Sequence, residues 1–111
     1  MPRFVTIGYG DEAGYKRTAD DVLQAAHEHD EKMLRAGAIF GIAGQPVQVR
    51  NHDGRGTTTA EGPYLSSPLP IAGFGIIEAR DIDEAIALAA KSPCAVAHGV
   101  IEVWPLKEAG G

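Results

Sequence analysis

The chain has 111 residues, 44 % apolar and 23 % charged, which suits a single domain over residues 1–111 with a small core. Its formal net charge of −5 argues against nucleic-acid binding, which needs clustered basic side chains. The single cysteine, Cys94, excludes an internal disulfide framework and is typical of a reducing compartment. No apolar run reaches the roughly 18 residues of a membrane span, so we expect a cytoplasmic protein that does not enter membranes.

The first third of the chain predicts a strand followed by a helix. Residues 3–8 alternate and carry β-branched side chains, which is typical of a strand. A polar, glycine-containing loop is predicted over residues 9–17. Thr18 is a suitable N-cap for a helix that runs to about Ala36, and Gly37 is placed to end it.

The middle of the chain predicts a short buried strand over residues 38–44 and then a hairpin. Residues 46–50 alternate between apolar and polar, and the β-branched residues 57–59 supply a second strand. Asp53-Gly54 between them is a strong signal for a hairpin turn. Three prolines in residues 61–70 indicate a loop.

The last third predicts a strand, a helix and a final strand. Residues 70–79 are apolar on both faces, which indicates that both faces are covered. Asp81 is placed to cap the second helix, with Glu84 three residues later in the position of a capping box. That helix should end at residues 91–93, and residues 99–105 form the last strand. We expect residues 107–111 to be frayed.

This order of elements, β-α-β-(hairpin)-β-α-β, predicts an α+β protein of the ferredoxin-like type. Its antiparallel sheet carries two helices on one face and leaves the other face open. A homodimer that packs through the open sheet face is the simplest way to cover the second apolar face of residues 70–79.

Two titratable side chains of the first helix fall on its apolar arc, namely His29 and Asp30. A buried His or Asp is costly unless it is paired. The functional interpretation is a general acid or base in a pocket between helix and sheet, for which His has a suitable pKa. The structural interpretation is a core His bonded to backbone, with Asp30 turned to the edge of the arc.

Three further positions carry functional side chains near turns or strand ends. Glu61 and Tyr64 flank a Gly-Pro turn, which either places them at a pocket mouth or is purely structural. His98 precedes the last strand and lies near Ser92 in sequence, so it either lines the same pocket or is surface. His27 and His29 point about 160° apart on a helix, so they cannot share an ion. We therefore expect no metal, and no other cofactor.

Several blocks of the chain resemble the YCII-related superfamily, in particular its DGPF branch. Residues 61–64, Glu-Gly-Pro-Tyr, stand where the branch has its Asp-Gly-Pro-Phe signature. Residues 71–74 leading to 81–85 resemble the strand-to-helix passage that follows the signature. Residues 92–94 and 99–103 resemble the closing segment of the family.

The resemblance implies a dimeric α+β barrel made from two ferredoxin-like subunits. Members of the wider superfamily carry an acid-base pair, a His on the first helix and an Asp before the last strand. These positions fall near Ala26 and on Ser92 here, so the pair does not carry over. Some relatives are linked to dehydrochlorination or muconolactone-type chemistry, and some are named for alternative sigma factors.

Two functional hypotheses follow. The first is a small cytoplasmic dimer that binds a small molecule, through residues such as Tyr64 and Ser92, or acts as an accessory protein. The second is an enzyme resembling lactone isomerases or dehydrochlorinases. In that enzyme His29 or His98 acts as the acid-base group, with Glu61 or Asp30 as its partner.

Overall fold

The computed structural model of the chain describes residues 1–107. The predicted fraying of the C-terminal tail concerns mainly residues 108–111, which lie outside this range. In chain order the elements are β1 (Arg3–Tyr9), α1 (Glu12–Lys16), α2 (Asp20–Arg35), β2 (Ile39–Ile42), β3 (Val47–Arg50), β4 (Thr58–Glu61), β5 (Ile71–Glu78), α3 (Ile82–Ala89), α4 (Pro93–Val96) and β6 (Val100–Leu106).

The main sheet has four strands in the order β2-β5-β1-β6, and each neighbouring pair is antiparallel. Strands β3 and β4 form a separate two-stranded hairpin. Because the first and third of the four main strands pair at the centre, this order is compatible with the predicted ferredoxin-like fold. The α+β class is confirmed.

The start of the long helix differs from the prediction. Helix α2 begins at Asp20, and the capping position, Ala19, makes no side-chain bond to the helix. Thr18 instead donates its hydroxyl to the carbonyl of Gly14 at 2.8 Å, so its predicted role as N-cap is wrong. The preceding residues were predicted as a loop but form α1. Asp11 caps α1 by accepting from Gly14 N at 2.9 Å.

The second helical region follows the prediction at its start and departs from it at its end. Asp81 accepts from Glu84 N at 2.8 Å, which confirms Asp81 as the cap of α3. Glu84 returns a bond to the backbone N–H of Arg80, one residue earlier than a strict capping box requires. Helix α3 ends at Ala89, just before the predicted end at residues 91–93, and Pro93 opens a separate short helix, α4, which was not predicted.

The core lies between the helices and one face of the sheet, called here the helix face. Its central cluster of buried side chains consists of Phe4, Ile77, Ala79 and Ala85. Register places Phe4 opposite Ile77 on the central strands, and Met33 of α2 packs against this cluster. The core is small, as expected for a chain of this length.

The other face of the sheet, called here the open face, has no helix over it. Large apolar side chains stand exposed there, including Phe74 at 49 % and Trp104 at 54 %. Within the single chain, therefore, only one of the two apolar faces of β5 is covered. In the described part of the chain, no helix has the length and apolar character needed to cross a bilayer.

Candidate functional site

A cavity of about 610 Å³ lies between the helices and the helix face of the sheet. Helix α2 contributes His29, Asp30 and Met33 to its wall. The end of α3 and the start of α4 also line the cavity, with Leu88 and Cys94 among their lining residues. Most of the wall is apolar, and a few polar groups converge in it.

Two glycines of the sheet lie at the cavity and allow close packing beside it. Gly8 and Gly73 face each other across β1 and β5 and both line the cavity. A Cβ on Gly8 would lie 3.1 Å from the Sγ of Cys94, and one on Gly73 would lie 2.7 Å from the backbone oxygen of Gly41. The absence of a side chain therefore lets Cys94 of α4 lie close to Gly8, and lets the backbone of β2 lie close to Gly73.

His29 combines the two interpretations that the sequence left open. Its Nε2 lies 2.9 Å from the carbonyl oxygen of Leu88, and the ring also lines the cavity. Because a carbonyl oxygen only accepts, Nε2 must carry the proton in this bond. In the neutral ring this leaves Nδ1 as an acceptor, which is the form a general base requires.

Asp30 lies beside His29 and also lines the cavity. Partial burial raises the pKa of its carboxyl group, because the charged form loses solvation. The nearby His29 and His27 act in the opposite direction and lower it. A carboxyl group whose pKa is raised in a cavity is a candidate for acid-base chemistry.

Tyr15 and Cys94 form a second polar contact in the cavity, which sequence reasoning missed. The hydroxyl of Tyr15 lies 3.7 Å from the Sγ of Cys94, although the residues are 79 positions apart. Burial, together with Cys94 and the charge of Asp30, raises the pKa of Tyr15 to about 12. The phenol is therefore protonated at neutral pH and available as a donor or acceptor.

The signal that could have placed Tyr15 is the start of α1. Asp11 followed by Glu12 is a typical helix beginning, and it would have put Tyr15 on a helix rather than in a loop. Gly14 of the same helix packs directly against the carbonyl of Ala97, which leaves no space for a side chain. This close approach brings α1 next to α4 and Tyr15 over the cavity.

Ser92 also lines the cavity, at the capping position of α4. Its hydroxyl donates to the carbonyl of Ala89 at 2.6 Å, so its proton is engaged while its oxygen lone pairs remain available. Among residues 1–107, no cluster of three His, Cys, Asp or Glu side chains has a geometry suited to a metal ion.

The family model of the YCII-related domain matches residues 3–109 of the 111-residue chain. This chain belongs to the YCII-related domain family. No curated protein shows significant similarity to it. Of the two positions aligned above with the acid-base pair of the superfamily, Ala26 is 3 % exposed in the core and Ser92 lines the cavity.

Three of the six predicted site residues of this YCII-related chain do not line the cavity. Glu61 ends β4 in an exposed position, and Tyr64 is 79 % exposed, with the guanidinium of Arg50 5.7 Å from its ring centre. His98 is exposed between α4 and β6. The structure thus brings together His29, Asp30 and Ser92, while Glu61, Tyr64 and His98 lie elsewhere. The functional roles of all six stay predictions.

Proposed function

We propose that the chain binds a small, mostly apolar organic molecule in the cavity between the helices and the sheet. The observation that supports this most is the size and chemistry of the cavity. Its volume of about 610 Å³ lies within the range of small-molecule sites, and its lining is apolar with a few convergent polar groups.

The lining suggests the kind of molecule that fits. Met33, Phe40 and Ile101 offer apolar surface for a hydrocarbon or aromatic body. Tyr15 and Asp30 offer a phenol and a carboxyl group, both with a raised pKa, as polar partners for a ligand. The best match is a compact ligand with an apolar body and one or two hydroxyl, carbonyl or carboxyl groups.

A fluorescent probe with an apolar ring system, 1-anilinonaphthalene-8-sulfonate, tests for this site. We expect Ile42→Trp to weaken probe binding about tenfold, because Ile42 lines the cavity and is 94 % exposed, so the larger ring can enter the mouth without disturbing the core. Ile86→Trp is the control, since Ile86 is 53 % exposed on α3 and does not line the cavity. Equal binding by both variants would contradict a cavity site.

A second candidate function is proton transfer on the bound molecule. It is favoured by two neighbouring groups in one wall of the cavity: His29, whose Nε2 bonds to the Leu88 carbonyl and leaves Nδ1 as an acceptor, and Asp30, whose pKa is raised by burial. Lactone isomerisation and dehydrochlorination both need such a pair.

Turnover of a lactone or a chlorinated phenol analogue tests this second function. We expect His29→Gln and Asp30→Asn each to lower the rate by about 100-fold or more, in line with the usual contribution of one acid-base group. His52→Gln is the control, since His52 is exposed in the hairpin turn. If the wild type binds the analogue without measurable turnover, the chain is a binding protein and the second function is wrong.

We also propose that two copies pair through the open face and form the barrel of the dimeric ferredoxin-like type. The exposed apolar side chains of this face support it. A carboxylate on the same face, Glu102, accepts a hydrogen bond of 2.7 Å from the hydroxyl of Tyr9. This bond lowers the free-energy cost of burying the Glu102 carboxylate in an interface. This bond raises the pKa of Tyr9.

Sedimentation of the wild type and of Trp104→Arg tests the dimer. We expect Trp104→Arg to sediment as a monomer with unchanged circular dichroism, because Trp104 is 54 % exposed in the single chain and contributes little to its core. Glu12→Arg is the control, because it introduces the same side chain at an exposed position of α1, away from the sheet. A dimer of unchanged strength in Trp104→Arg would exclude the open face as the interface.

The finer family and cellular assignments rest on the sequence. Residues 61–64 support membership of the DGPF branch, and Gly62 has a φ of 98°, a conformation that suits the glycine of such a signature. The single cysteine supports a reducing compartment such as the cytoplasm. The acidic net charge favours a protein contact over DNA for any accessory role.

A further inference from the structure

The hairpin of β3 and β4 projects from the body of the molecule. We call it, with its connections over residues 44–70, the arm. Within the described residues, β3 and β4 contact each other extensively, but neither makes an extensive contact with any other helix or strand. The radius of gyration is 16.0 Å, against about 13 Å for a compact domain of this length.

One face of the arm is covered by its own chain. Gln48 donates to the carbonyl of Gly62 at 3.1 Å and accepts from Arg50 at 2.8 Å. The guanidinium of Arg50 in turn lies over the ring of Tyr64 at 5.7 Å. The loop that follows β4 therefore folds back over this side of the hairpin.

The opposite face of the arm is bare and apolar at its centre. Val47 and Val49 lie on it, 59 % and 66 % exposed, opposite Glu61 and Thr59 on β4. A two-stranded hairpin is at best marginally stable in water unless a further apolar surface packs on it. An arm of this kind needs a surface outside its own chain.

We propose that the Val47/Val49 face of the arm packs against the body of a second copy of this chain. This extends the dimer proposed above and rests on it. The exposed area supports a second copy of the chain as the surface that covers this face. The chain exposes 7937 Å², which is about 2,000 Å² more than a compact monomer of its mass. Burial of that amount per subunit is what an obligate dimer interface provides.

The charge distribution supports the same occupant. Arg50 and Arg55 balance Asp53 and Glu61, so the arm is formally neutral, while the whole chain carries −5. A neutral arm meets an acidic copy without the like-charge repulsion that two acidic bodies would share. In a two-fold symmetric dimer each arm packs against the body of the other copy, so the same contact occurs twice.

Amide hydrogen exchange across a dilution series tests the inference with the unmodified protein. We expect peptides covering β3 and β4 to lose at least about tenfold in protection as the protein is diluted below its dimer dissociation constant. Peptides of β1, in the centre of the sheet, serve as the internal reference and should change little. Equal protection of the arm above and below that concentration would overturn the inference.

Sedimentation of Val47→Thr/Val49→Thr provides the independent test, since threonine keeps the β-branched shape and removes apolar surface. We expect a dimer dissociation constant raised at least about tenfold. Val22→Thr/Ile86→Thr is the matched control, with positions 41 % and 53 % exposed on the helices. An unchanged constant in the arm variant with a monomeric Trp104→Arg would overturn the arm contact and leave the open-face dimer standing. A wild type that is monomeric at all concentrations would overturn both, while probe binding in the cavity would still test the proposed ligand site.

Discussion

The two faces of the main sheet are made by the same four strands, yet they meet different surroundings. On the helix face Phe4 and Ile77 are only 4 % and 2 % exposed, whereas on the open face Phe74 and Trp104 remain about half exposed. The helices cover the first face incompletely and leave a cavity of small-molecule size. The second face has no helix over it, and several large apolar side chains are exposed there. Under the functions proposed above, one sheet would hold a small ligand on one side and a second copy of the chain on the other.

The largest difference in stability between the two faces is expected when two adjacent isoleucines are each replaced by alanine. Ile77 points to the helix face and Ile76 to the open face. We expect Ile77→Ala to lower the free energy of unfolding by about 2 to 5 kcal/mol, because it leaves a void in the core. Ile76→Ala should cost clearly less in dilute protein. Urea unfolding followed by circular dichroism measures both.

Protein concentration sharpens this comparison. If a second copy covers the open face, the loss caused by Ile76→Ala should grow as the concentration rises, since the side chain is then buried in the interface. The loss caused by Ile77→Ala should stay constant. Equal losses for the two variants in dilute protein would mean that the open face is as well packed as the helix face within a single chain.

The next effect concerns the polar side of the helix face. We expect His29→Ala to lower the free energy of unfolding by about 1 kcal/mol, because it removes the bond that joins α2 to the Leu88 carbonyl at the end of α3. His52→Ala, in the exposed hairpin turn, is the control and should change stability by less than about 0.5 kcal/mol. The same urea titration measures both. No difference between them would mean that His29 does not hold the two helices together.

The main elements could be predicted because their signals are local. Alternation marks β1 and β5, and caps such as Asp81 and Gly37 mark helix ends. The short helices were missed because four or five residues carry no periodicity, and their position is fixed by tertiary packing such as Gly14 on Ala97. The open face could also be predicted, because the ferredoxin-like order of elements places both helices on one side of the sheet.

The site could be predicted only where one helix carries it. His29 and Asp30 were identified because a helical wheel fixes their common direction toward the sheet. The contact of Tyr15 with Cys94 joins residues that are 79 positions apart in the sequence, and a local sequence pattern cannot predict a contact between such distant residues. Glu61 and Tyr64 were associated with the pocket through their turn. Their actual place depends on the direction of the arm, which no local pattern determines.

A smaller effect should appear in the pH dependence of stability. Burial raises the pKa of Asp30 above its usual 3.8, so the folded state favours the neutral acid. Stability from this group is complete below the usual pKa and is lost as the pH rises through the raised one. We therefore expect Asp30→Asn to raise the melting temperature at pH 7, and the gain to disappear near pH 3.

Asp53→Asn is the matched control for that experiment. Asp53 is exposed in the hairpin turn with a φ of 60°, a conformation that Asn also tolerates, so no pH-dependent gain is expected. Thermal unfolding between pH 3 and pH 7 provides the measurement. A loss of stability in Asp30→Asn at pH 7 would mean that the ionised carboxylate is stabilised by its neighbours. A gain combined with lost turnover would mark Asp30 as a residue retained for chemistry at the expense of stability.

The smallest effect is expected at His98, which the sequence placed among the catalytic candidates. Its φ of 64° is left-handed, a conformation that favours glycine, and its side chain is exposed away from the cavity. We expect His98→Gly to raise the free energy of unfolding by about 0.5 kcal/mol, because relief of backbone strain slightly exceeds the added freedom of the unfolded chain. Binding of the fluorescent probe should be unchanged. A loss of probe binding together with intact folding would instead place His98 in the ligand site. The ligand site would then reach from the cavity to the start of β6.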